Sequence, residues 1–257
     1  MTEALSYDVH GSGPGLVLIH GPGGFASTTW GSMVEQLAAY STVVLPDLPG
    51  SGDSTRAGEP LEVATLADQI VATAHAAGLS EFVIGGVSTG AAIAIAVAAR
   101  WPARVHGVIS ICGYAYPRAT LRLNLEIWRA MLDSQDGVTR SRFLTSLLFA
   151  EPYLAALPPD AVNQLVKQLA GLAAPGTTEQ VDFALAVDVR PDLAAVRAPA
   201  LVVVPPVDRF VAPEHAAEIA NGITEARLVE VPGGHASFFE DPQPTLDAMI
   251  TFLRELP

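Results

Sequence analysis

A serine between two glycines is the strongest chemical signal in this sequence. Ser88 is the centre of Gly-Val-Ser-Thr-Gly at residues 86–90, which follows an apolar run at 82–86 and precedes an Ala-rich helical segment. A tight strand–turn–helix of this kind exposes the serine hydroxyl as a nucleophile, because the glycines leave room for the turn. The backbone N–H of the next residue, Thr89, then lies at the helix start, where it can stabilise an oxyanion. The alternative is that Ser88 is an ordinary N-cap of the helix.

A serine hydroxyl is a weak nucleophile unless a neighbouring base accepts its proton, and histidine is the usual base. Of six histidines, we favour His235, because it lies in a loop after the last predicted strand. Loops at the carboxyl ends of strands carry catalytic groups. His20 ends a strand and is expected to shape a turn, whereas His75 and His215 fall in helical segments that look solvated.

The base needs an acid that orients it, and Asp208 is the candidate. It follows the apolar run at 199–204 and lies between Ser88 and His235 in the chain. The resulting order of serine, acid and histidine is that of one type of serine hydrolase. The alternative is that Asp208 forms an ordinary surface ion pair with its neighbour Arg209.

Six apolar, β-branched runs are typical of buried strands, and they alternate with longer segments of helical period. The predicted strands lie at 15–20, 41–47, 82–86, 105–111, 199–204 and 226–231. Because the runs are almost continuously apolar, they indicate parallel strands that are covered on both faces. The sequence therefore predicts the α/β fold class, with a mostly parallel central sheet flanked by helices.

The alternation stops between residues 114 and 190, where four amphipathic helical segments follow one another without a strand run. We expect a helical insertion there, which acts as a lid over the carboxyl ends of the strands, where open α/β sheets bind ligands. The predicted organisation is one α/β core made of residues 1–113 and 191–257, with the helical insertion at 114–190.

Composition argues against several classes of function. The formal net charge is −13, with 14 Lys+Arg against 27 Asp+Glu, so little positive charge is available to bind nucleic acid or an anionic membrane. Cys112 is the single cysteine, which excludes an internal disulfide and a cysteine-based zinc site, and we expect it to be a buried residue at a strand end. Neither a secretory signal nor a membrane span is apparent, so a cytoplasmic protein is expected.

These motifs together resemble the α/β-hydrolase superfamily over essentially the whole chain. The matching segments are HGPGG at 20–24, DLPGSGDS at 47–54, GVSTG, RWPARVHGVI, the Asp208 loop and GGHASFFEDP. The resemblance extends to serine esterases and enol-lactonases with lids of similar size. It implies hydrolysis of a small-molecule ester or lactone by a catalytic triad of Ser88, His235 and Asp208, through an acyl-enzyme, with no metal and no organic cofactor. It leaves the substrate and the oligomeric state open.

The sequence departs from the family pattern at one position. In related hydrolases the residue after His-Gly usually gives the second N–H of the oxyanion hole, but here that residue is Pro22, which has no N–H. We expect Thr89 to act with Gly23 or Gly24 as oxyanion donors instead. The alternative is an incomplete oxyanion hole, and losing one donor typically costs about 2.7–4 kcal/mol of transition-state stabilisation.

Several apolar residues are candidates for the wall of a substrate pocket, with plain core packing as the alternative for each. These candidates are Pro22, Trp30, Trp128, Phe149, Phe210, Phe238 and Phe239.

Two other functions stay open beside hydrolysis. One is a non-hydrolytic enzyme on the same scaffold, such as a lyase, cyclase or acyltransferase of secondary metabolism, which Pro22 favours. The other is a ligand receptor of low turnover, which has no need of all three triad residues.

Overall fold

The computed structural model describes residues 3–134, 136–171 and 173–256, and a seven-stranded sheet lies at its centre. The strands are β1 (Tyr7–His10), β2 (Gly15–Ile19), β3 (Thr42–Pro46), β4 (Phe82–Val87), β5 (Val105–Ile111), β6 (Ala200–Val204) and β7 (Ala226–Glu230). Their order across the sheet is β1-β3-β2-β4-β5-β6-β7. Only the β1–β3 pair is antiparallel among these strands. The predicted α/β fold class is therefore confirmed.

Helices connect the strands and cover both faces of the sheet. They are α1 (Ala26–Ala38), α2 (Val63–Ala76), α3 (Thr89–Arg100), α4 (Ala119–Leu132), α5 (Gly137–Leu148), α6 (Glu151–Ala156), α7 (Pro159–Gly171), α8 (Thr177–Ala186), a 3-10 helix (Arg190–Ala195), α9 (Glu214–Gly222), α10 (Ser237–Glu240) and α11 (Pro242–Glu255). Within the described residues, no helix is both long and apolar enough to cross a membrane.

Alternate residues of each central strand face two separate apolar layers. In β2, Leu16 and Leu18 pack in the layer that contains residues of α1 and α11, whereas Val17 and Ile19 pack in the layer that contains residues of α2 and α3. Successive side chains of a strand point to opposite faces, so a strand covered on both faces must be apolar throughout. This is why the central strands are visible in the sequence as unbroken apolar runs.

The edge strand β1 is the one strand that lies outside the six predicted runs. Three of its four residues are exposed, and only Tyr7 is half-buried. Because an exposed edge strand needs no apolar run, its sequence does not reveal it. Here the hydrogen-bonded pairing with β3 identifies residues 7–10 as a strand.

Five helices, α4 to α8, lie between β5 and β6, in the region of the expected helical insertion. Residues of α4 and α8 belong to the same apolar cluster as α2 and α3. A smaller cluster joins Phe149 and Leu165 of this region to Ala236. The helices at 114–190 thus pack directly onto the sheet layers and onto the loop that carries His235.

Candidate active site

Ser88 lies in the tight turn between β4 and α3, in a backbone conformation that residues with a side chain rarely adopt. Its φ is 55° and its ψ is −122°, and its side chain makes no capping hydrogen bond to α3. A Cβ on Gly86 would overlap the carbonyl group of Gly90, and a Cβ on Gly90 would lie 2.6 Å from the carbonyl oxygen of Ile19. Both glycines are therefore required by the space available. The ordinary N-cap interpretation does not fit Ser88, and strained positive-φ residues cluster at functional sites.

Asp208 and His235 are buried and hydrogen-bonded to each other. The distance from His235 Nδ1 to Asp208 Oδ2 is 2.7 Å. The other carboxylate oxygen, Oδ1, accepts the backbone N–H groups of Phe210 at 2.8 Å and Val211 at 2.9 Å. Because a carboxylate can only accept, it takes a hydrogen bond from Nδ1–H and leaves Nε2 as the acceptor nitrogen of the neutral imidazole.

Arg209 is directed away from its neighbour Asp208. Its guanidinium donates to the carbonyl oxygen of Phe149 at 2.7 Å, and only 6% of the Asp208 surface is exposed. The surface ion pair that the sequence left open for Asp208 is therefore wrong. Arg209 instead ties the Asp208 loop to the helical insertion.

Ser88 and His235 both line one cavity of about 240 Å³, which lies at the carboxyl ends of β4 and β7. Within the described residues, no hydrogen bond joins the two side chains. Nucleophile–base contacts are often loose without substrate and tighten when it binds. The arrangement brings a strained serine and an oriented imidazole to the same cavity.

Cys112, at the end of β5, lies beside the acid–histidine pair. Its Sγ, an Asp208 oxygen and a His235 nitrogen lie within 4.8 Å of one another. Burial raises the pKa of the Cys112 thiol well above its ordinary value, and the nearby Asp208 charge adds to that effect. Cys112 could bind a metal only as a thiolate, and both Asp208 oxygens already accept hydrogen bonds, so these three residues do not fit a metal centre. The expectation that Cys112 is a buried strand-end residue is confirmed.

Two other histidines are buried, and both have structural partners. His20 Nδ1 bonds to the Gly21 carbonyl at 2.7 Å and His20 Nε2 accepts the Leu48 N–H at 2.9 Å, which matches the expected role in shaping a turn. Burial lowers the pKa of His20 and of His215. The expectation of a solvated His215 is wrong, because it lies on the inner side of α9 with both ring nitrogens bonded to backbone groups.

The candidate oxyanion donors have different surroundings. Thr89 is the first residue of α3, and the first N–H groups of a helix have no partner inside the helix. The Gly23 N–H, in contrast, donates to Gln180 Oε1 at 2.7 Å. In this conformation it is not available to an oxyanion, which departs from the sequence expectation. Pro22 lines the cavity beside it and offers no N–H.

Gln180 is a site residue that the sequence did not reveal. It is 1% exposed on α8. Besides accepting from Gly23, its amide nitrogen donates to the Pro49 carbonyl at 3.0 Å and to Ser51 Oγ at 2.9 Å. Ser51 Oγ in turn donates to the Gly24 carbonyl at 2.8 Å. One buried amide from the helical insertion therefore links the two glycine-rich loops of the core.

Gln180→Met should destabilise the protein while nearly conserving side-chain volume. It leaves the Gly23 N–H and two buried acceptors without their partner, and one such unsatisfied group costs about 1–3 kcal/mol. We expect a clear fall in melting temperature by calorimetry. Gln164→Met, at an exposed position of α7, is the matched control and should stay within about 0.5 kcal/mol of the parent. Equal stability of the two variants would show that Gln180 does not hold the loops.

Aromatic side chains form much of the cavity wall. The expected wall residues that line the cavity are Pro22, Trp128, Phe149, Phe210, Phe238 and Phe239. Trp30 does not line it, because it is fully buried in the layer of α1 and α11, where it stacks on Phe238 at a centroid distance of 6.5 Å. The core-packing alternative is thus correct for Trp30.

The cavity lies between the core and the helical insertion. The core side includes the loop at 21–24, Ser88 and the segment around His235. The opposite side comes from α4, α5, α7 and α8, and includes Arg140 and Gln168. Neither of these polar residues is recognisable as a cavity residue from the sequence. A cavity of this size and apolar character suits a small or medium organic molecule.

Comparison with protein families gives one match over most of the chain. The model described as "Alpha/beta hydrolase family" matches residues 16–248. A pyrrolizixenacetamide deacetylase of Xenorhabdus hominickii is 31% identical over 251 residues, which cover 97% of this chain and 94% of the relative. A pimeloyl-[acyl-carrier protein] methyl ester esterase of a Shewanella species is 27% identical, with 98% and 95% of the two chains covered.

A solved structure shows the same fold at lower sequence identity. The enol-lactonase of Burkholderia xenovorans superposes with a TM-score of 0.84 at 20% identity, covering 97% of this chain and 96% of that one. This similarity concerns the fold alone. Together with the family match and the relatives, it shows that the sheet and flanking helices of this chain form a known fold.

Proposed function

This chain belongs to the alpha/beta hydrolase family, and from that premise we propose that it is a serine hydrolase that cleaves a carboxylic ester or lactone. The observation that carries the proposal is the strained Ser88, which shares one cavity with His235 while Asp208 holds the imidazole at 2.7 Å. The relatives named as a deacetylase and a methyl ester esterase support acyl transfer to water as the reaction class.

In the proposed first step, the Ser88 hydroxyl oxygen attacks the carbonyl carbon of the substrate. His235 Nε2 takes the hydroxyl proton, and Asp208 stabilises the resulting imidazolium through Nδ1. The carbonyl oxygen becomes an oxyanion, which the Thr89 N–H at the start of α3 stabilises. Collapse of the tetrahedral intermediate breaks the carbon–oxygen bond, and His235 protonates the leaving alcohol.

The second step repeats this chemistry with water. His235 removes a proton from a water molecule as the water oxygen attacks the acyl-enzyme carbonyl. The acyl–Ser88 bond then breaks, and the proton on His235 returns to the serine oxygen. The products are the free acid and the regenerated enzyme, so neither a metal nor an organic cofactor takes part in the proposed cycle.

We assign the role of a lid to the helical insertion at 114–190, with residues 1–113 and 191–257 as the catalytic core. Trp128 and Phe149 of the insertion line the cavity together with the loop at 21–24. Excluding water from such a cavity strengthens the electrostatic interactions inside it. In this proposal the insertion selects the substrate, and the core performs the chemistry.

One observation favours a second function on the same scaffold. Pro22 lacks an N–H and the Gly23 N–H is bonded to Gln180, so only Thr89 and Gly24 are left of the oxyanion donors expected from the sequence. Among the non-hydrolytic candidates, a weak oxyanion hole suits a lyase or cyclase whose reaction does not pass through a tetrahedral oxyanion. Substrate turnover without incorporation of oxygen from water would support this second candidate.

The test of the proposed function is the intact-protein mass after exposure to a fluorophosphonate. We expect the mass of one phosphonyl adduct on the parent protein, because an activated serine displaces fluoride from such reagents. Ser88→Ala, folded as judged by circular dichroism, should gain no adduct. An adduct on both proteins would place the reactive nucleophile elsewhere, and no adduct on the parent would favour the non-hydrolytic candidate.

A further inference from the structure

The charges that line the cavity differ in sign from the protein as a whole. The chain has 27 acidic residues against 14 Lys+Arg. Among the described residues that line the cavity, there is one arginine, Arg140, and no aspartate or glutamate. A single fixed positive charge therefore faces an otherwise largely apolar space.

Arg140 lies at the end of the cavity remote from the imidazole. Arg140, Leu144 and Leu148 line the cavity at intervals of four residues, so they follow one face of α5. The Leu148 carbonyl accepts the N–H of Ala236 at 2.8 Å, directly beside His235. Eight residues of α-helix span about 12 Å, at 1.5 Å per residue, and this length separates Arg140 from the catalytic end.

The Arg140 guanidinium has no carboxylate within 4.0 Å among the described residues. Arg129 on the preceding helix shows the contrast, because it pairs with Asp133 and with Asp182 at 2.8 Å each. The nearby Asp136 is engaged as the N-cap of α5, where it accepts from Thr139. Arg140 thus lines the cavity without a carboxylate partner among the described residues, and such an arginine can bind an anion that a ligand supplies.

The surroundings of Arg140 allow a charged group to reach it. Arg140 is half-buried, and Gln168 of α7, which also lines the cavity, is exposed. This end therefore opens to solvent, and an anion there keeps part of its hydration. Arginine binds carboxylates with two parallel hydrogen bonds, and the amide of Gln168 offers further donors.

We propose that Arg140 selects substrates that carry a carboxylate remote from the scissile bond, with an apolar spacer between the two groups. The spacer packs along Leu144 and Phe149, while the reacting carbonyl lies at Ser88. This inference rests on the proposed function for the position of the reacting carbonyl. The substrate class is thus the monoesters of dicarboxylic acids and the lactones that bear a carboxylate.

A matched pair of esters tests the proposal. Monomethyl suberate carries a carboxylate where methyl octanoate carries a methyl group, and the rest of the two molecules is the same. We expect the parent protein to have the higher kcat/KM for the suberate ester. Arg140→Met should lower the ratio of the two kcat/KM values about tenfold, which corresponds to about 1.4 kcal/mol, mainly through KM. Arg142→Met removes an exposed charge from the same helix and should keep the parent ratio.

Binding to the Ser88→Ala protein separates this inference from the proposed function. Calorimetry with the same two esters should show tighter binding of monomethyl suberate, and the double variant with Arg140→Met should lose that preference. If this binding preference is present but the parent hydrolyses neither ester, the hydrolase proposal fails and the anion site stands. Hydrolysis of both esters with a ratio that Arg140→Met leaves unchanged would overturn the anion site alone.

Discussion

Replacement of Ser88 by alanine should lower kcat by about three to six orders of magnitude, the range of losses known for serine triads. The substitution removes the proposed nucleophile, and the hydroxyl of the neighbouring Thr89 is hydrogen-bonded to Tyr114 at 2.7 Å. The measurement is steady-state hydrolysis of an ester that the parent protein accepts, with melting temperatures recorded in parallel. A small loss of activity in folded Ser88→Ala would contradict the proposed mechanism.

Ser110→Ala is the matched control for this experiment. Ser110 is also buried and lies on β5, directly opposite Gly86 in the register of the sheet. Its hydroxyl has no hydrogen-bond partner among the described residues, so its removal should change activity at most about twofold. If Ser110→Ala also lost most of its activity, damage to the sheet would explain both results. The loss in Ser88→Ala would then not identify Ser88 as the nucleophile.

Gly86→Ala should destabilise the fold by more than about 3 kcal/mol, among the largest effects of single substitutions. The added Cβ would overlap the Gly90 carbonyl and lie 2.5 Å from the Ala91 nitrogen. These atoms are backbone at the start of α3, so no side-chain rotation relieves the overlap. The expected result is insoluble protein, or a large fall in melting temperature together with loss of activity.

Gly31→Ala shows what the same change does where space is available. Gly31 lies in α1, and nothing is within 4 Å of a Cβ built on it. Alanine there should raise stability by about 0.5–1 kcal/mol, because glycine loses more backbone entropy in a helix. Similar melting temperatures for the Gly86→Ala and Gly31→Ala proteins would mean that the turn around Ser88 relaxes easily.

The central strands and the position of the serine were predictable because their signals are local. Burial on both faces makes β4 an unbroken apolar run, and the spacing of Gly86 and Gly90 around Ser88 reflects direct backbone contacts. Asp208 and His235 follow strands, so the parallel topology of the sheet brings them to the same edge as Ser88. The sequence order of these elements was sufficient for that inference.

The remaining features depend on contacts that no local pattern records. Gln180 contacts Gly23, which lies 157 positions away in the sequence. In the sequence of α8 nothing distinguishes this glutamine from an ordinary polar residue on a helix surface. His215 looked solvated because Glu214 and Glu218 lie close to it in the sequence, although α9 turns its side chain inward. β1 is a strand because of its pairing with β3, since its own residues are mostly exposed.

The buried contacts of Gln180 bear on how enzymes of this architecture are recombined. A lid and a catalytic core are attractive units for exchange between homologues, since one would set specificity and the other reactivity. Here the exchange would carry away the amide that fastens the loops at Gly23 and Ser51. A chimera with a foreign lid should therefore regain full activity only if the donor helix brings an equivalent glutamine, or if the host loops are redesigned together with it.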